Sequence, residues 1–226
     1  MIIFMILTCA SEKYQKYYQE KYEIFNNIKN KLEYDFIFVS ANLEQNEEFI
    51  YNNLKKIVYV KCHDNYDCLP TKVYLGIKYI VNNFIDLHGI LKLDDTSIMS
   101  KLHNILNILT NNKHIDYFGS LIQDNRKICN YTLKEDRLKK FQFPEKYVGK
   151  KYPNSHFCHG CGYYISLKSC NIILANFEII QNNVLEDTTI GHILNLNNIF
   201  PTRINNFDYN MFKKSEFRRR DRKYYN

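Results

Sequence analysis

The sequence predicts an α/β domain built on a mostly parallel, mixed sheet. Three observations carry that expectation. Apolar runs of strand length recur along the chain, stretches of helical period separate them, and no Pro- or Gly-rich linker divides them. The 226 residues suit one domain with a sizeable core. With 45% hydrophobic and 24% charged residues, the composition is that of a globular rather than a disordered chain.

Ile2 to Thr8 is a continuous apolar run, the look of a strand covered on both faces. The segment Met1 to Ala10 is too short to span a bilayer and lacks a basic n-region and a small-residue cleavage site. No other stretch approaches about 18 apolar residues, so the protein is expected to be cytoplasmic or otherwise soluble. Ser11 is placed to cap a helix reaching Leu32, followed by a strand at Asp35 to Val39. A helical stretch is expected around Glu47 to Leu54, then a strand at Ile57 to Val60. Pro70 and Thr71 open an amphipathic helix whose Val73, Ile77, Ile80, Val81 and Phe84 form one stripe at helical period. Gly89 to Leu93 is a short strand ending at Asp94-Asp95; Ile98 to Leu109 returns to helix and Ile115 to Leu121 to strand. The polar stretch Asp124 to Lys151 is expected as a long loop, Gly162 to Ser166 as a strand, and Ser169 to Phe177 and Asp187 to Leu196 as helices.

The formal charge is +7, much of it in a basic tail over residues 213–226 that follows a domain over 1–212. Such a tail is a solvated end or a contact for an anionic partner. The seven cysteines are odd in number and follow no secretory signal, so free thiols are expected rather than a disulfide framework.

Four segments carry residue types with chemical capacity. Asp94 and Asp95 end an apolar strand, where open α/β sheets bind ligands, and their hard oxygens suit Mg²⁺ or Mn²⁺ beside a diphosphate. They equally suit a turn or a helix cap. Glu186 and Asp187 open a helix, as caps or with one acting as a general base. Cys158, Cys161, His156 and His159 invite a zinc reading, but no second ligand pair of matching spacing exists, and Gly160 and Gly162 point instead to backbone lying close to a ligand. Lys72 in the first turn of its helix opposes the dipole, which hints that it faces an anion such as phosphate.

In order and spacing the four segments resemble the β-1,3-galactosyltransferase and fringe group, glycosyltransferase family 31. Asp64, Tyr66, Leu69 and Lys72 fit its first block, and Lys92, Asp94 and Asp95 its second. Tyr152, Pro153, Cys158, Gly160, Gly162, Tyr163 and Ser166 fit the third; Glu186, Asp187, Thr188, Thr189 and Gly191 fit the fourth. The resemblance implies a GT-A type, Rossmann-like nucleotide-sugar-binding domain and inverting transfer from a UDP-sugar to a glycan or glycoprotein acceptor. It implies Asp64, Lys72, Asp94, Gly160 and Gly162 around the nucleotide sugar, Asp94 and Asp95 at Mn²⁺ or Mg²⁺, and Asp187 as the base. Two departures stand out: Thr96 replaces the family's third Asp, and no His follows His192. Two competing readings are a relative that keeps the fold without turnover and a basic binding module whose acid pairs are only caps. Four ordered blocks favour the transferase, and nucleic acid is not an expected partner.

Overall fold

The structure, a computed structural model, describes residues 1–10, 12–29, 34–95, 97–99, 102–121, 147, 149–151, 155–204 and 212–214. In chain order its elements are β1 (Ile2–Leu7), α1 (Glu12–Lys29), β2 (Tyr34–Ala41), β3 (Phe49–Asn52), β4 (Ile57–Val60), α2 (Leu69–Asn83) and β5 (Gly89–Asp94). There follow β6 (Ser97–Met99), α3 (Leu102–Asn111), β7 (Tyr117–Leu121), β8 (Cys158–Ser166), α4 (Leu167–Leu174), α5 (Phe177–Gln181), α6 (Glu186–Leu196) and β9 (Phe212–Lys214).

Seven strands form one sheet in the order β3-β4-β2-β1-β5-β8-β7. Its centre is parallel, β4 to β2 to β1 to β5. Both flanks are antiparallel, β3 on β4 at one side and β8 on β5 and β7 at the other. β1 is central because neither of its faces is polar. Ile3, Met5 and Leu7 join a core with α2, α4, α5 and α6, while Ile2, Phe4 and Ile6 join a second core with Phe25 of α1 and Ile105, Leu106 and Leu109 of α3. Side chains alternate across a strand, so a run without polar positions fills both layers.

Two expectations are corrected. Residues 49–52 are the edge strand β3, not helix, paired antiparallel with β4 through a tight return in which Lys56 has φ 49°. Aromatic and β-branched Phe49-Ile50-Tyr51 suits a pleated edge, and the adjacent β4 supplies the ladder. Ser97 to Met99 likewise pair as β6 with β9, so the helix expected from Ile98 begins at Leu102. β9 extends to Lys214, into the basic tail. Ser11, most of the Asp124 to Lys151 stretch and residues 215–226 lie outside the described residues. No helix among the described residues is long and apolar enough to cross a membrane.

The antiparallel entry of β8 decides where its first residues lie. Gly162 pairs with Leu93 and Ser166 with Gly89, so the residues before Gly162 stand at the carboxyl end of β5. α6 is seated over the same place. The side chain of Asn195 accepts from the His156 amide at 2.7 Å and donates to its carbonyl at 3.0 Å. At Gly191 a Cβ would stand 2.3 Å from Phe157 Cβ and 2.7 Å from the His156 carbonyl oxygen. Helix and chain therefore touch backbone to backbone. Gly191→Ala is expected to lower the unfolding free energy by about 1–3 kcal/mol, the usual cost of overpacking, seen as a lower urea midpoint. A midpoint at or above wild type would show that α6 can shift without cost.

Candidate active site

β5 brings Lys92 into the interior on the face it shares with Ile90, between Leu91 and Leu93, and leaves it with no exposed surface. A buried ammonium is tolerable only when paired and hydrogen-bonded. Lys92 Nζ donates to Asp94 Oδ1 at 2.9 Å, to Glu186 Oε2 at 3.3 Å and to the Gly160 carbonyl. Its charge also lies 5.5 Å from the ring centroid of Tyr163, whose hydroxyl donates to Glu186 Oε1.

The two acids that open α6 face different surroundings. Glu186 is buried, with one oxygen held by Lys92 and the other by Tyr163. Asp187 is half-buried; its Oδ2 accepts from the Gly160 amide at 3.0 Å and its Oδ1 from the Thr188 amide at 2.9 Å. Neither acid is the N-cap, a place taken by Leu185, whose side chain makes no capping bond. Burial pushes the Glu186 carboxyl up to about 7, opposed by Lys92 and reinforced by the neighbouring Asp187. Burial would lower the Lys92 ammonium, but Asp94 and Glu186 hold it above its ordinary value. One cation thus faces three carboxylates, of which Glu186 is the most deeply buried.

Gly160 is the hinge of this cluster. Its carbonyl accepts from Lys92, its amide donates to Asp187, and a Cβ there would lie 3.2 Å from Glu186 Oε2 and 3.3 Å from Asp187 Oδ2. Within the chain, the group that comes close to Gly160 is therefore the acid pair. Gly162 sits one strand position pair further on, in register with Leu93.

A second cluster lies at the same sheet end. Lys72, buried in the first turn of α2, donates to Asp64 Oδ1 at 2.8 Å and to the Thr8 carbonyl, while Asp64 Oδ2 accepts from the Ala10 amide at 2.9 Å. The anion that Lys72 faces within the chain is thus Asp64. Between the clusters, the Asp95 amide donates to the Leu7 carbonyl at 3.0 Å. Asp95 is itself buried and acts on the charge of Lys21, whose ammonium is lowered by burial. The segment Leu7 to Ala10 is fastened on both sides.

Cys158 and Cys161 fall in different cores, on opposite faces of the sheet, because residues three apart on a strand point to opposite sides. They do not converge on one metal. Among the described residues no group of three His, Cys, Asp or Glu side chains is placed to hold a metal ion. Thr96, Tyr152 and Pro153 lie outside the described residues.

Residues of all four sequence blocks therefore lie at one end of the sheet, while Ser166 of the third block pairs with Gly89 at the other. Sequence reasoning matched Lys92 and Tyr163 to a motif without assigning either a task. The available signal was a lysine inside an apolar strand, which demands buried partners.

A family model described as Galactosyltransferase matches residues 39–205 of the chain. No curated protein gives a match. Among solved structures the chain is similar to 4-diphosphocytidyl-2C-methyl-D-erythritol synthase from Anaerococcus prevotii, at 11% identity and a TM-score of 0.45, covering 95% of this chain and 92% of that one. It is also similar to the galactosyltransferase LgtC in complex with donor and acceptor sugar analogs, at 12% identity and a TM-score of 0.43, covering 86% and 69%.

The raised carboxyl of Glu186 fixes a sign for pH dependence. Its ordinary value is 4.5, and folding raises it to about 7. Between those values the folded chain holds a proton that the unfolded chain has released, so stability falls as pH rises through this window. Glu186→Gln should flatten that slope in urea titrations taken at several pH values. An equal slope in both proteins would mean that Glu186 is ionised in the fold throughout.

Proposed function

The chain belongs to the galactosyltransferase family, and on that premise we propose that it transfers a sugar from a UDP-sugar to a hydroxyl of a glycan or glycoprotein, with inversion at the anomeric carbon. The observation that carries this is the division of labour between neighbouring acids. Asp187 is half-buried and steadied by two backbone amides, while Glu186 is turned inward and occupied by Lys92 and Tyr163. Of these two acids, Asp187 is the one left part-exposed for an acceptor.

In this mechanism Asp187 takes the proton of the acceptor hydroxyl as that oxygen bonds the anomeric carbon. The bond from that carbon to the diphosphate oxygen breaks on the opposite face, and UDP leaves with the electron pair. Asp94 and Asp95 are hard donors at the end of β5; Asp94 Oδ1 already accepts from Lys92, so Mg²⁺ or Mn²⁺ there would be held by the remaining carboxylate oxygens and completed by substrate phosphates. When bound there, such an ion would stabilise the charge gathering on the diphosphate. Asp64 and Lys72 act on the nucleotide side by fixing Thr8 to Ala10, the segment that follows Leu7, whose carbonyl accepts from the Asp95 amide. Gly160 and Gly162 keep side chains away from the start of β8, where donor and base must come together.

Asp187→Asn keeps the size of the side chain and removes the base. Turnover should fall roughly 10²–10⁴-fold, the usual contribution of a positioned base, with UDP affinity little changed. Near-normal turnover in Asp187→Asn, alongside loss in Glu186→Gln, would assign the base to the other acid. If both variants stay active, the acid pair has no part in the chemistry.

UDP should raise the melting temperature, more so with Mn²⁺ than with EDTA. A ligand specific to the folded state stabilises it by about 2.7 kcal/mol at a hundredfold excess over its Kd. Asp95→Ala should remove the metal-dependent part. Identical UDP shifts in Mn²⁺ and EDTA would sink the metal assignment and leave the transferase reading to the turnover assay.

A further inference from the structure

Lys92 does no chemistry in the mechanism above, yet its ammonium meets a group from each element that does. An ammonium has three N–H groups. Here they go to Asp94 on β5, the Gly160 carbonyl on β8 and Glu186 on α6. The backbone of Gly160 carries the connection one step further: its carbonyl accepts from Lys92, and its amide, on the other side of Cα, donates to Asp187 at 3.0 Å. We propose that Lys92 is a positioning residue that sets the span between the donor-end carboxylate of Asp94 and the base Asp187, acting through the backbone of Gly160. This rests on the transferase reading.

Two features separate positioning from mere bulk. A well-packed apolar side chain in place of a buried ion pair is often as stable or more so, so stability alone gives little reason for an ammonium between two leucines. In addition, a Cβ at Gly160 would stand 3.2 Å from Glu186 Oε2 and 3.3 Å from Asp187 Oδ2, so the backbone at Gly160 lies close against both acids. A shift of Gly160 therefore moves the base directly. A displacement of about 1 Å at a reacting group can lower turnover about a hundredfold.

The experiment is a double-mutant cycle. Wild type, Lys92→Met, Asp187→Asn and the double variant are compared for kcat, for donor KM and for melting temperature, using the UDP-sugar that the wild type turns over fastest. Lys92→Met keeps the length of the side chain and removes the charge. It should lower kcat by about a hundredfold while donor KM moves little, and it should cost far less when Asp187 is already Asn, because the base it positions is gone. An equal factor in both backgrounds, or a wild-type kcat in Lys92→Met, overturns the proposal. Lys92→Met strands the buried Glu186 carboxylate; if it fails to fold, Lys92→Met with Glu186→Gln removes both charges and should fold. The paired variant is still expected to lose kcat, and wild-type kcat in it also overturns the proposal. A wild type that turns over no UDP-sugar, N-acetylhexosamine and uronic acid donors included, defeats the transferase reading instead, and this inference with it.

Discussion

A lysine with no exposed surface has to find a partner for every N–H it carries, and the partners of Lys92 come from three separate elements. This requirement ties the end of β5, the start of β8 and the first turn of α6 to one point. Truncating one member of a buried charged set usually costs several kcal/mol, because the others are left unpaired in a medium that solvates them poorly. The antiparallel pairing of β8, the glycine at 160 and the glycine at 191 all serve the same geometry. Each brings backbone close enough for the acid pair to reach the strand.

The second fastening, Asp64 with Lys72, works on the segment after β1. It consumes the Ala10 amide and the Thr8 carbonyl, groups that a loop leaving a parallel strand would otherwise offer to water. Asp95 holds Leu7 from the other side through its own amide. A loop anchored at Leu7, Thr8 and Ala10 is preorganised, and a ligand settling there need not order it first.

Electrostatics then sorts acids that look alike in sequence. Glu186 and Asp187 are adjacent, but adjacent residues on a helix point in different directions. One is drawn into the interior, where burial favours its neutral form, and the other stays at the boundary with two amides on its oxygens.

The sequence alone determined the central layer and the order of the segments that carry the candidate residues. The apolar runs at Ile2 and Ile57 and the strand ending at Asp94-Asp95 were legible because burial on both faces leaves no polar alternation. The stripe of α2 was legible for the matching reason, its helical period. The four motif blocks were legible by their order, and residues of each lie at one end of the sheet. What remained hidden depends on contacts between distant residues. Residues 49–52 became strand because β4 lay beside them, and Ser97 to Met99 because β9 did, neither of which local propensity encodes. Cys158 and Cys161 have the spacing of a ligand pair, which the sequence argued against only for want of a second pair; it is the strand that puts them on opposite faces. Above all, only the antiparallel return of β8 set Gly160 between Lys92 and Asp187. A single sequence records which residues are charged, but the burial and partners that give each charge its task arise only when the chain closes on itself.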